Sequence, residues 1–199
     1  MSAESEQVDG GRRHFLLVAT SAVGAVGAVA TAVPFLASWR PSARAKAMGG
    51  PVEADISKME VGALQKVEWR GQAIYIVRRS PEMIARLPGN KDRLRDPDSN
   101  ESEQPAFAKN INRSLKPEYL ILIGVCTHLG CAPLNKFTPG DADVAADWPG
   151  GFYCPCHGSK FDLAGRVFKD VPAPLNLRVP PYSFGPNDTL IIGSETGAA

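Results

Sequence analysis

Two hexapeptides, CTHLGC at residues 126–131 and CPCHGS at 154–159, hold all four cysteines and two of the three histidines of the 199-residue chain. That concentration constrains the fold more than any other feature, because thiols and imidazoles gathered so tightly imply two loops converging on one centre. Cys126-x-His128 and Cys154-x-x-His157 each offer one thiolate and one imidazole, with 25 residues between the pairs. Two cysteines and two histidines can hold a tetrahedral zinc ion. They can equally hold a [2Fe–2S] cluster with two thiolates on one iron and two imidazoles on the other. Zinc leaves Cys131 and Cys156 without a role. The glycines and prolines around both segments predict loops rather than helices.

The N-terminus reads as an address and an anchor. Arg12-Arg13 stands directly before an apolar run, the form of a twin-arginine export signal. Phe15 to Trp39 is 25 residues without a charge, enough as helix for a hydrocarbon core of ~30 Å. A secretory signal core is shorter, about 7–15 residues. The boundaries expected are a cytoplasmic tail over 1–13, a retained transmembrane helix over 14–39, a flexible hinge over 40–51 and a head over 52–199. The alternative is a signal cleaved near Ala43-Arg44-Ala45. Ser21, Gly24, Ala25, Gly27 and Ala28 place small residues at helical spacing, which lets another helix pack closely. Arginines flank the run on both sides, so charge does not decide its orientation.

The head reads as antiparallel β structure. Val67–Trp69 and Gln72–Arg78 about Arg70-Gly71 form a predicted hairpin. Tyr119–Val125 is a buried-strand pattern and Thr189–Ile192 a final strand. A short helix is expected over 80–88, with Pro81 at its first position. An exposed loop is expected over Asn90–Gln104, and an extra surface loop over Asn135–Gly151. A net charge of +1 excludes a protein that coats nucleic acid.

With both hexapeptides in view, the chain resembles the Rieske iron–sulfur proteins, and more narrowly the iron–sulfur subunit of cytochrome bc complexes. The likeness runs from Arg12-Arg13 through the span and tether to Val171-Pro-Ala-Pro174, which is similar to the family's proline loop and includes Pro172. The resemblance implies a mainly β protein: a small antiparallel β-sandwich with an inserted cluster-binding subdomain over about 124–176, preceded by one N-terminal transmembrane helix. It implies one [2Fe–2S] cluster held by Cys126, His128, Cys154 and His157, and a disulfide between Cys131 and Cys156. It gives Ser159 the role of a hydrogen-bond donor and Leu129 that of an apolar shield, and it has Gly130 and Gly158 let backbone N–H groups point at cluster sulfurs, beside their plain reading as glycines that permit tight turns.

The implied function is electron transfer within a quinol–cytochrome c reductase. His157, with His128 beside it, would meet ubiquinol, and the electron would pass to a c-type haem subunit. The implied partners are that subunit, cytochrome b and the membrane, in a dimeric complex of the bacterial inner membrane with the head on the periplasmic side. Proton release there would feed the respiratory gradient. Phe161 departs from the family pattern, where high-potential members commonly carry tyrosine. Other readings are a Rieske subunit of a different exported oxidoreductase, such as arsenite oxidase, and a zinc-stabilised binding module.

Overall fold

A computed structural model of the chain describes residues 9–42, 45 and 49–194. The chain divides into two compact units between Ala47 and Met48. Most of the expected cytoplasmic tail, the central part of the expected hinge and nearly all of the alternative cleavage site lie outside the described residues.

The described residues of the first unit include a long helix, α1 (Gly10–Ala37). Asp9 caps it, its carboxylate accepting from the Gly11 and Arg12 amides at 3.0 and 3.4 Å, which satisfies two of the orphan N–H groups of a helix start. Thr20 and Thr31 return their hydroxyls to the carbonyls of Leu16 and Gly27, so the apolar stretch exposes few unpaired polar groups. Its 28 residues span roughly 42 Å at ~1.5 Å per residue, long enough to cross a membrane. The helix takes in Arg12 and Arg13 and ends two residues before Trp39.

The second unit holds nine strands in three antiparallel sheets. The first sheet orders β1 (Val52–Asp55), β9 (Thr189–Ile192) and β8 (Tyr182–Phe184). The second orders β2 (Leu64–Trp69), β3 (Gln72–Arg78) and β4 (Tyr119–Ile123). Ile74, Ile76, Leu120, Leu122, Leu190 and Ile192 are fully buried in one core shared by both sheets. The third sheet, β5 (Leu134–Lys136), β6 (Gly151–Tyr153) and β7 (Lys160–Asp162), is inserted between β4 and β8. Both hexapeptides flank its strands.

The β2–β3 turn takes positive φ at Arg70 (51°) and Gly71 (71°), as a two-residue hairpin requires. Arginine is strained there, and its contacts offset the strain: the guanidinium lies 4.4 Å over the Trp69 ring and Nε donates to the Gly49 carbonyl. Trp69 Nε1 donates to Gly50. Gly49 and Gly50, near the end of the expected hinge, are thus bonded to the β2–β3 turn.

Two expectations are corrected. The helix over 80–88 is a five-residue α2 (Pro81–Ala85) followed by a 3₁₀ segment, Pro88–Arg93. Asn90–Gln104 is not an exposed loop, because Asn90, Leu94, Asp96, Ser99 and Ser102 are buried. Its charged and prolyl composition resembled a surface loop because the residues it buries are mostly polar and pair with groups distant in sequence. Asn135–Gly151 begins in β5 and ends in β6, and its Trp148 is buried against Leu94 and Phe168.

Candidate metal centre

The two hexapeptides fold into loops with the same backbone pattern. The Cys126 amide donates to the Cys131 carbonyl and the Gly130 amide to the Cys126 carbonyl, at 2.8 and 3.0 Å. The Cys154 amide donates to Ser159 and the Gly158 amide to Cys154, at 2.8 and 2.9 Å. Gly130 (φ 85°) and Gly158 (φ 76°) hold the left-handed position that closes each turn. The space where a side chain would stand is open at Gly130, so glycine is required there by its backbone angle rather than by crowding.

Tyr75 sets where the first loop leaves the sheet. A methyl on Gly124 would strike its ring, and its hydroxyl donates to the Pro133 carbonyl at 3.0 Å. One buried aromatic therefore touches both ends of the loop.

Cys131 and Cys156 form the expected disulfide, with Cα atoms 6.6 Å apart. Cys126 and Cys154 are free thiols, each 2% exposed. The Cys154 sulfur lies within 4.8 Å of both bridged sulfurs, which are themselves committed to each other. Burial pushes the Cys126 thiol up; the His128 amide and the Ser159 hydroxyl, bonding its sulfur, pull the other way, and the adjacent Cys154 thiol adds to the rise. Two thiols held together in a buried site suit a soft metal that takes both as thiolates.

The imidazoles lie on the outer side. His128 is half-buried and His157 exposed, their rings edge to face with centroids 4.8 Å apart. Leu129 beside them is 70% exposed. Sulfur donors inward and nitrogen donors outward fit a [2Fe–2S] cluster gripped asymmetrically. Ser159 is fully buried, and its oxygen accepts from the Ala173 amide at 3.0 Å. Pro172 is exposed on the segment 171–175 that contacts both loops: Ala173 reaches Ser159, and the Leu175 carbonyl accepts from Thr127 at 2.6 Å.

Beneath the site lies a charged core that the sequence did not disclose. Asp162, at the end of β7, accepts from the amides of Ala164 and Arg166 and pairs with the Arg166 guanidinium at 2.6 Å. Arg79 donates to the Leu163 carbonyl and Arg113 to those of Ala164 and Gly165. All four side chains are buried. Burial pulls the guanidiniums of Arg79 and Arg113 down to about 10, opposed by the Asp162 carboxylate. Three arginines from separate segments thus hold the turn that follows the second hexapeptide. Charged residues spread over 88 positions carry no local pattern, so only the fold reveals the group.

Replacing Cys131 and Cys156 together by serine should lower stability by about 3.5 kcal/mol from the loss of loop-closure entropy, given their separation of 25 residues. Thermal unfolding of the double variant measures this, and an unchanged melting temperature would count against it.

Comparison with known proteins agrees with the geometry. Residues 52–181 match the Rieske [2Fe-2S] domain, and residues 1–42 match the segment described as the Ubiquitinol-cytochrome C reductase Fe-S subunit TAT signal. The ubiquinol-cytochrome c reductase iron-sulfur subunit of Allochromatium vinosum is 56% identical, over 94% of this chain and 91% of its own. The subunit of the same description from Blastochloris viridis is 42% identical, over 96% of this chain and 98% of its own. The mitochondrial cytochrome b-c1 complex subunit Rieske of Schizosaccharomyces pombe is 42% identical, over 86% of this chain and 66% of its own. With its domain match, its export segment and relatives that align nearly end to end, the chain belongs to the Rieske [2Fe–2S] proteins, within the family of ubiquinol–cytochrome c reductase iron–sulfur subunits.

Proposed function

We propose that the chain is the electron-carrying subunit of a bacterial quinol–cytochrome c reductase, with Cys126 and Cys154 on one iron and His128 and His157 on the other. The observation that carries this reading is the polarity of the site: buried paired thiols behind, paired imidazoles in front, with His157 exposed and His128 half-buried. The bound cluster supplies a one-electron acceptor whose neutral imidazole ligands raise its potential above that of all-thiolate clusters. The exposed ring of His157 takes the hydrogen bond of a quinol hydroxyl and can receive its proton at the nitrogen left free. Leu129 and Pro172 offer apolar surface around that ring.

The finer organisation follows from the same reading. Helix α1 anchors the chain in the bacterial inner membrane, the segment over 40–51 is the hinge, and the head over 52–199 stands on the periplasmic side. Ubiquinol is met at a cytochrome b subunit, and the electron goes to a c-type haem subunit of a dimeric complex, with the released proton added to the outer face. Purification from the native membrane tests this. Cytochromes of b and c type should accompany the chain, and a quinol should reduce it with a Rieske EPR signal. Iron-free protein, or protein free of both cytochromes, would overturn the proposal.

Phe161 is fully buried, two residues past Ser159 and paired across the strands with Phe152. Its ring has no hydroxyl for a ligand sulfur, so the reduced, more negative cluster has one donor fewer. Phe161→Tyr should raise the midpoint potential. A differential bond of ~1 kcal/mol corresponds to about 40 mV for one electron. Voltammetry of the two proteins side by side checks this, and equal potentials would refute it.

A further inference from the structure

The segment over the two loops is poorly equipped to hold itself in place. Residues 171–175 read Val-Pro-Ala-Pro-Leu, lie in no helix or strand, and lack two of their five amide donors. Yet this strap makes one contact to each cluster loop, through Ala173 to Ser159 and through Leu175 to Thr127. The next residue is fixed from every side. Asn176 is fully buried, and its amide donates to Ser102 Oγ at 3.1 Å. Its Oδ1 accepts from the Val167 amide at 2.8 Å, and its Nδ2 donates to the Asp96 carbonyl and to Ser99 Oγ at 3.0 and 3.1 Å.

Asp96 is the base of that arrangement. Its carboxylate accepts from the Asn100 and Glu101 amides and from the Ser102 hydroxyl, at 2.7, 3.1 and 2.8 Å. Burial works to push its carboxyl up, but the bonds from Ser102 and from the Asn100, Glu101 and Ser102 amides outweigh burial and hold it below the usual range. The group stays ionised and is a rigid acceptor set.

We propose that Asn176, held by Asp96 and Ser102, is a positioning residue that tunes the redox potential by fixing the strap against Ser159. The Ala173 amide occupies the Ser159 oxygen, which leaves the hydroxyl hydrogen free to be donated to a sulfur of the cluster site. Loosening Asn176 releases Ala173, the hydroxyl turns away, and the reduced cluster loses a donor. The inference rests on Cys126, His128, Cys154 and His157 being the ligands, as proposed above.

The test uses the full chain in its native membrane, with the midpoint potential read by redox titration of the EPR signal and stability read by melting. Asn176→Ala and Ser102→Ala should each lower the potential, by a three- to tenfold change in the redox equilibrium, which is about 30–60 mV for one electron. Leu190→Ala, in the core of the first sheet, is the control: it should lower melting while leaving the potential unchanged. If Asn176→Ala does not accumulate, Ser102→Ala decides. Unchanged potential in the decisive variant, with melting lowered as in the control, would overturn the tuning role. A wild-type protein without any cluster signal would instead overturn the ligand assignment, and this inference with it.

Discussion

A Cys154→Ser protein should fold and be exported but carry no [2Fe–2S] cluster. The loop around residue 154 is closed by main-chain bonds, from the Cys154 amide to Ser159 and from the Gly158 amide to the Cys154 carbonyl, and a serine leaves both intact. What it removes is the thiolate. A serine hydroxyl stays protonated at neutral pH and is a harder donor, poorly matched to an iron–sulfur centre. Outer partners of a metal site each govern affinity by about 10- to 100-fold, and a direct ligand should exceed that. Iron analysis and EPR should read close to zero, while thiol counting finds the Cys131–Cys156 bridge still made. Iron at the wild-type level would remove Cys154 from the ligand set.

The second large effect is expected from Asp162→Ala, three residues beyond the same loop. Asp162 pairs with Arg166 in a site where both side chains are almost wholly buried, and its field opposes the desolvation of Arg79 and Arg113. Removing one partner of a buried pair leaves the other charge uncompensated, at a cost of about 3–5 kcal/mol. Alanine also strips acceptors from the Ala164 and Arg166 amides, which then lie buried and unpaired. For a head of this size a loss of that order lowers melting by roughly 10 °C. Asp162→Asn keeps an oxygen for the amides and should fall between the two. A melting temperature within a degree of wild type for Asp162→Ala would show that solvent reaches the cluster of arginines.

What could be read in advance follows a physical divide. Gln72–Arg78 and Thr189–Ile192 were legible to the residue because their side chains are apolar and their ends are marked by turn residues. The bridge was legible because the two hexapeptides resemble those of a known family, and the same resemblance names the ligands proposed above. β5, β6 and β7 were missed: three residues each, they are too short for alternation to emerge and owe their extension to neighbours. Gly151 illustrates this, since a methyl there would collide with the Phe161 carbonyl, a requirement set wholly by the partner strand. Asp96 and Ser102 fell in an expected exposed loop and Asn176 drew no reading, because hydrogen bonds spanning 74 and 80 positions leave no local trace.

The matched pair of loops has a consequence for how the protein is put together. Four amide–carbonyl contacts close the mould, and all four are main-chain bonds that use no thiol. Neither a cluster thiolate nor the S–S link is a partner in that closure. On the function proposed above, such a mould would take iron and sulfide with Cys131 and Cys156 still reduced, and the staple would follow in an oxidising compartment.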